Sequence, residues 1–378
     1  MPEVQPRPLA ELTTLRTGGV PERMIDALTR DEIVEALREA WGAGDDVLVL
    51  GGGSNLFVGD EPFEGTVVRV LSKGIERVDA EAPGTTRVRV QAGHDWDAFV
   101  AWTVEHGLSG VEAMSGIPGT VGAAPVQNIG AYGQEVVQTL VEVELIDEAS
   151  GDIAVVPATE LGLAFRTSVL KAHYGSVALR PAVILSATFD LVEVGAGELP
   201  VRGEQLRQAL GLAPDQAVSL AWIRAHVLET RARKGMVLDP DDPDTASAGS
   251  FFQNAVVSDA FARTLPPECP RWPMAPIVEA PTIIPLAAYD GVAPPPASYR
   301  PEVKVSAAWL IEHAGLGKGF RLGRSRASLS TKHALALTNR GGASADEIAE
   351  LARFVQQRVQ QDFGLILQPE PVLVGVEI

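Results

Sequence analysis

Short apolar runs and longer helical periodicities alternate along this chain. Val47-Leu48-Val49-Leu50 is an unbroken apolar run between an acidic pair and a glycine triplet, and it predicts a buried strand. Thr66–Val70, Arg87–Ala92 and Pro181–Val192 read as further strands. Leu140–Ile146 and Ile153–Pro157 flank Ser150-Gly151 and predict a hairpin. Helical spacing occurs around Glu32–Trp41, with Asp31 placed to cap it. Trp96, Phe99, Val100 and Val104 share one face of a helix starting near Asp95. Ala217–Lys234 is amphipathic and ends in Arg231, Arg233 and Lys234, cations suited to a helix C-terminus. Ala307–Ala314 predicts a short helix. Ser344 and Glu347 have capping-box spacing and open a longer one, to about Gln361. Val372–Val376 reads as a final strand. Pro266–Pro301 holds eleven prolines, which cannot donate to a sheet ladder, and predicts a peripheral extended excursion.

The elements group into α+β units over residues 1–72, 73–202 and 203–364, with 365–378 returning to the first unit. A chain of 378 residues with 46% apolar and 21% charged residues can bury a full core. The net charge of −18 argues against nucleic acid, whose phosphates need a basic surface. Cys269 is the single cysteine, so neither an internal disulfide nor a cysteine-rich metal site is expected. No leader pattern or membrane-length apolar stretch stands out, and a cytoplasmic protein is expected. Six histidines are scattered without metal-ligand spacing, and no metal or covalent flavin attachment is expected.

Two glycine loops carry the candidate chemistry. Gly51-Gly52-Gly53-Ser54-Asn55 follows the first strand, and Gly110–Gly133 is the longer. Glycine permits positive φ and close backbone approach, and rows of free N–H groups form anion sites. Two such loops suggest a long phosphate-bearing ligand of dinucleotide size. Taken alone, GGGSN is equally a tight turn between strands.

Eight ordered segments narrow this reading: LTTLRTGG, GGGSN, SGIPGTVGAAPVQNIGAYG, FRTSVLK, AGSFFQN, KVSAAWLIEHAGLGKG, TNRGGASADEI and LQPEPVLVG. In them the chain resembles the UDP-N-acetylenolpyruvoylglucosamine reductase (MurB) family over nearly its whole length. The resemblance implies an α+β fold of the vanillyl-alcohol-oxidase (PCMH) flavin type. The first two units would be FAD-binding subdomains and the third would bind substrate. It implies non-covalent FAD, NADPH as hydride donor, and reduction of the enolpyruvyl group of UDP-GlcNAc-enolpyruvate to UDP-N-acetylmuramate for bacterial peptidoglycan. A monomer acting on a small molecule, without nucleic acid or membrane partners, is expected.

The resemblance assigns residues. Arg166 would pair with the substrate carboxylate, where a guanidinium fork matches two oxygens. Ser250 would donate the proton to C2, with Gly249 beside it. Glu370 would act with Arg166, as a carboxyl group holding or sharing a proton next to an anion. Alone, each also reads as a surface pair, a turn serine and a solvated glutamate. Gly52, Gly53, Ser54 and Asn55 would cradle the pyrophosphate, and Arg16 would reach a phosphate. Gly116, Ile117, Pro118, Gly119, Gly122 and Ala123 would line the flavin track, with Gln127, Asn128 and Gly130. Lys234 would meet the substrate diphosphate and Asn254 the substrate; His313 falls where relatives often carry a glutamine near it. Relatives with a long third unit often have a mobile tyrosine near residue 202. LPVRGEQL offers Arg202 there instead. Phe165 replaces a common tyrosine and Gln253 a common lysine. The flavin loops alone also permit an FAD oxidase of an alcohol or sugar acid; Ser250 and Glu370 argue against it.

Overall fold

The computed structural model describes residues 3–80, 82–171, 178–274 and 301–378. The first sheet contains β1 (Glu3–Val4), β2 (Pro21–Ala27), β3 (Val47–Leu50) and β5 (Phe63–Val70), in the order β1-β2-β5-β3. β5 lies between β2 and β3 and is parallel to both. Helix α1 (Arg30–Ala43) joins β2 to β3 and buries Ile33, Ala36, Leu37 and Ala40. Its cap is Thr29, not Asp31. The Thr29 side chain accepts from Glu32 N–H, and Glu32 Oε2 returns to Thr29 N–H. Asp31 lies in the first turn, where its charge suits the helix dipole.

β4 (Leu56–Val58) pairs in parallel with Val372–Val374, so the C-terminus returns beside the GGGSN loop. That strand stops short of Val376, and Gly375 turns out of it at φ 60°.

A second sheet is antiparallel. Its order is Ile153–Pro157, Leu140–Asp147, Ala182–Glu193, β7 (Thr85–Gln91) and β6 (Ile75–Val78). The expected hairpin forms with Glu142 opposite Pro157 and Ile146 opposite Ile153. Helix α2 (Trp96–Glu105) lies on this sheet, capped by Asp95 Oδ1 accepting from Ala98 N–H at 2.8 Å. Trp96, Phe99 and Phe189 meet edge-on or tilted within it.

Packing continues across residue 203. Helices α3 (Glu204–Leu210) and α4 (Leu220–Ala232) share a core with Ala113, Val201 and Val218, against which Val104 and Tyr132 pack. The helix expected from Ala217 begins later. Ala217–Val218 pairs with Leu199–Pro200, and Ser219 Oγ then caps α4 by accepting from Trp222 N–H.

Another core joins Leu15 and Phe57 to Phe251, Phe252, α5 (Asp259–Ala262), α6 (Ala307–His313) and α7 (Ala345–Phe363). Phe57 and Phe251 touch edge to face, their centroids 5.7 Å apart. Ser344 and Glu347 form the expected capping box on α7. Most of the proline-rich stretch, 275–300, lies outside the described residues; Arg271–Pro273 is a strand beside Glu302–Val305.

Candidate active site

The two glycine loops meet along one wall of a cleft of about 710 Å³. Ser54 Oγ donates to the carbonyl of Pro118 at 2.8 Å. A Cβ on Gly52 would lie 2.7 Å from Gly119 Cα, and one on Gly53 (φ 60°) would run into the Leu12 carbonyl. Only glycine lets the loops close this far. Among the described residues, the N–H groups of Gly53 and Ser54 donate to no acceptor. Free amides in a glycine cradle fit a pyrophosphate. Apolar side chains, Val49, Val70, Trp96 and Ile184 among them, line the same cleft and fit a flat ring system.

Arg166, Ser250 and Glu370 face this cleft together. Arg166 Nε lies 3.0 Å from Glu370 Oε1, with side chains 19% and 14% exposed. Arg166 also donates from its two terminal nitrogens to the carbonyls of Asn128 (3.3 Å) and Gly130 (2.9 Å). Two of its five N–H groups are thereby hydrogen-bonded, and the contact from Nε to Glu370 is an ion pair. Glu370 is thus ion-paired to Arg166. Ser250 follows Gly249, whose φ of 75° and open surroundings leave the backbone accessible. Its Oγ lies 3.4 Å from His333 Nε2.

Several expected positions act through the backbone or at second hand. Asn55 Nδ2 donates to Gln127 Oε1 at 2.8 Å, and Asn55 O accepts from Val372 N–H. Asn128 lies outside the lining. It is fully buried and holds Glu135, Ala164 and Val137 together. Gly116 is also behind the wall, its N–H donating to Asp97 Oδ1 at 2.6 Å. Ile117, Pro118, Gly119, Gly122, Ala123 and Gly130 do line the cleft, as do Lys234 and Asn254. Asn254 Oδ1 accepts from Ala307 N–H, so its amide NH₂ remains.

Besides Gly116 and Asn128, three more expected residues lie away from the cleft. Arg16 is exposed and outside the lining: its φ of 59° and the bond from Asn339 Nδ2 to its carbonyl give it a turn role. Arg202 is exposed just before α3 and outside the lining. His313 stacks on Trp309 at 3.7 Å and its Nδ1 meets the Trp309 carbonyl, so it closes α6 instead of facing the cleft.

Other groups enter that the motifs did not assign. Lys171 is buried; its Nζ donates to Gln127 Oε1 at 2.9 Å and to the Glu370 carbonyl at 2.6 Å. Burial pushes this lysine down to about 8; Glu370 opposes that and Arg166 adds to it. His333 is pushed down to about 4 by burial, then by Lys234, Lys318 and Arg231. Lys234 is itself lowered by burial and by Arg231 and Lys318, and its Nζ lies 5.8 Å from the centroid of the Tyr132 ring. Arg231 Nε is buried without a partner among the described residues. Lys171 closes the FRTSVLK segment, so that motif was the available signal. His333 has no local signal, because it meets Ser250 only through the fold. No group of histidine, cysteine, aspartate or glutamate side chains suited to a metal occurs among the described residues.

Residues 241–374 match the family described as UDP-N-acetylenolpyruvoylglucosamine reductase, C-terminal domain, and residues 21–156 match an FAD-binding domain family. A UDP-N-acetylenolpyruvoylglucosamine reductase of Leifsonia xyli subsp. xyli is 50% identical, with 99% of each chain covered. The chain belongs to the UDP-N-acetylenolpyruvoylglucosamine reductase family. A relative of the same description from Thermobifida fusca is 45% identical over 98% of each chain. The crystal structure of MurB from Thermus caldophilus superposes with a TM-score of 0.60 at 25% identity, covering 98% of each chain. The fold is thus the α+β flavin-binding type with a MurB C-terminal domain, as expected.

Proposed function

We propose that this protein is a UDP-N-acetylmuramate dehydrogenase. It reduces UDP-GlcNAc-enolpyruvate to UDP-N-acetylmuramate with NADPH and FAD, in peptidoglycan synthesis in the cytoplasm, acting as a monomer. The observation that carries this reading is the convergence of the Arg166–Glu370 pair and Ser250 on the cleft walled by both glycine loops.

FAD, held by the glycine cradle and the apolar wall of the cleft, would supply the hydride chemistry that links NADPH to C3 of the enolpyruvyl group. The protein must then hold the charge that develops at C2 beside the substrate carboxylate. Arg166 does so with the N–H groups that the Asn128 and Gly130 carbonyls leave free, its position fixed by Glu370 and those carbonyls. Glu370 orients the guanidinium, and Lys171 holds the Glu370 backbone. Ser250 gives its hydroxyl proton to C2. Lys234 reaches the substrate diphosphate, and the free amide of Asn254 binds the sugar side. Gly52, Gly53, Ser54 and Asn55 hold the cofactor pyrophosphate. Residues 1–72 with 365–378, and residues 73–202, carry the flavin; α3 and α4 extend that layer toward the substrate unit.

The test is direct. Purified protein with FAD, NADPH and UDP-GlcNAc-enolpyruvate should yield UDP-N-acetylmuramate, identified by mass and by its lactyl ether protons. Unchanged enolpyruvate, with an alcohol or sugar acid oxidised instead, contradicts the reading.

A further inference from the structure

Ser250 sits in a loop turned by Gly249, and His333 reaches it from the turn between the strands Ala327–Leu329 and Leu337–Asn339. That turn is rigidly built. The N–H of His333 donates to Ser330 Oγ, and Ala336 N–H donates to the His333 carbonyl. Lys332 Nζ pairs with Asp242 at 2.6 Å, and Thr331 donates twice to Asp244. The imidazole is therefore delivered to Ser250 by a scaffold that has no other need of it.

A hydroxyl that protonates carbon must aim its hydrogen at the substrate and accept a hydrogen bond from behind. We propose that His333 is the positioning residue for Ser250. Its Nε2–H donates into the serine oxygen, turns the hydroxyl hydrogen into the cleft, and stabilises the oxygen as the proton leaves.

This rests on the reading of Ser250 as the proton donor. The step balances. Hydride adds to C3, the π electrons of the C2–C3 bond move to C2, and the Ser250 O–H bond breaks as the C2–H bond forms. Water then returns a proton to the serine oxygen, and His333 ends each turnover unchanged. The cations facing His333 are Arg231 and Lys234 from the end of α4 and Lys318 from the loop after α6. Burial, and then these cations, keep the imidazole neutral, and the same positive field stabilises a developing serine alkoxide.

The experiment compares His333→Leu, His333→Gln and Ser250→Ala holoenzymes, singly and as the Ser250→Ala/His333→Leu pair. Flavin reduction by NADPH and reoxidation by UDP-GlcNAc-enolpyruvate are followed separately. His333→Leu should slow reoxidation roughly 10–100-fold, the worth of one hydrogen bond to a developing charge, and leave reduction near wild type. His333→Gln, whose amide donates from a similar place, should recover most of the loss. In the Ser250→Ala background, His333→Leu should cost nothing further. Nitrogen-15 spectra of the unsubstituted protein should show His333 as the Nε2–H tautomer, with that signal shifting in Ser250→Ala. The proposal is overturned by an Nδ1–H tautomer, by a leucine variant that reoxidises normally, by a glutamine variant as slow as leucine, or by multiplying losses in the pair. A Ser250→Ala protein with full turnover removes the reading of Ser250 itself, and this proposal with it. A slow Ser250→Ala beside a fast His333→Leu removes only the proposal.

Discussion

Arg166 Nε stands 3.0 Å from Glu370 Oε1, and the arginine that makes this pair holds its own backbone at φ 54°. A non-glycine residue in that region is strained by roughly 1–3 kcal/mol and persists only where its surroundings fix it. Here the ion pair and the carbonyls of Asn128 and Gly130 fix it. Removing the arginine leaves a mostly buried carboxylate without its partner.

Arg166→Ala should therefore lower stability by about 2–4 kcal/mol. Arg166→Ala/Glu370→Gln should recover part of that, since no orphan charge remains. Urea unfolding of both variants measures the difference. Equal losses in the single and the double variant would contradict the coupling.

The glycine loops give a graded prediction. Gly52→Ala puts a Cβ 2.7 Å from Gly119 Cα, so one loop must move and cofactor retention should fall sharply. Gly249→Ala meets nothing within 4 Å and bears only the cost of its φ of 75°, about 1 kcal/mol. Flavin content after gel filtration should separate the two. Equal flavin content would mean that contact between the loops is not what forms the cradle.

His333 predicts a pH dependence. Its folded value is about 4 against an ordinary 6.5, because burial and nearby cations disfavour its charged form. Between those values the unfolded chain binds a proton that the folded protein refuses. Its contribution is thus fully present above pH 6.5 and lost as pH falls toward 4, on the order of 1–3 kcal/mol. His333→Gln should flatten the stability curve in that window. Denaturant midpoints from pH 4 to 7 test this, and parallel curves for the two proteins would exclude it.

Elements in both the flavin layer and the substrate unit were legible, because strand runs such as Val47–Leu50 and the capping box at Ser344 are local signals. Arg166, Ser250 and Glu370 were legible from their motifs. What escaped notice was tertiary. Thr29 outcompeted Asp31 as a cap because Glu32 could close the box with it. Val218 found a strand partner in Leu199 and delayed α4. His313 satisfied itself on Trp309, an arrangement repeated at Trp102–His106 and Trp222–His226, which drew it away from the cleft. His333 and Lys171 reach their partners across the fold, and spacing along the chain cannot reveal that.

The cofactor should be non-covalent. Acid precipitation should release all flavin, as FAD, into the supernatant, and the yellow colour should leave the protein. Flavin retained in the pellet would contradict this.

The central claim is that one cleft receives hydride by one route and protonates carbon by another. Anaerobic stopped-flow with wild-type and Ser250→Ala protein tests it most directly, with NADPH mixed first and UDP-GlcNAc-enolpyruvate second. Flavin bleaching by NADPH should proceed at similar rates in both. Recovery of flavin colour on adding the enolpyruvyl substrate should be roughly 10²–10⁴-fold slower in Ser250→Ala, the usual worth of a positioned general acid. Equal recovery in both proteins, or loss of the NADPH step in the variant, would contradict the account.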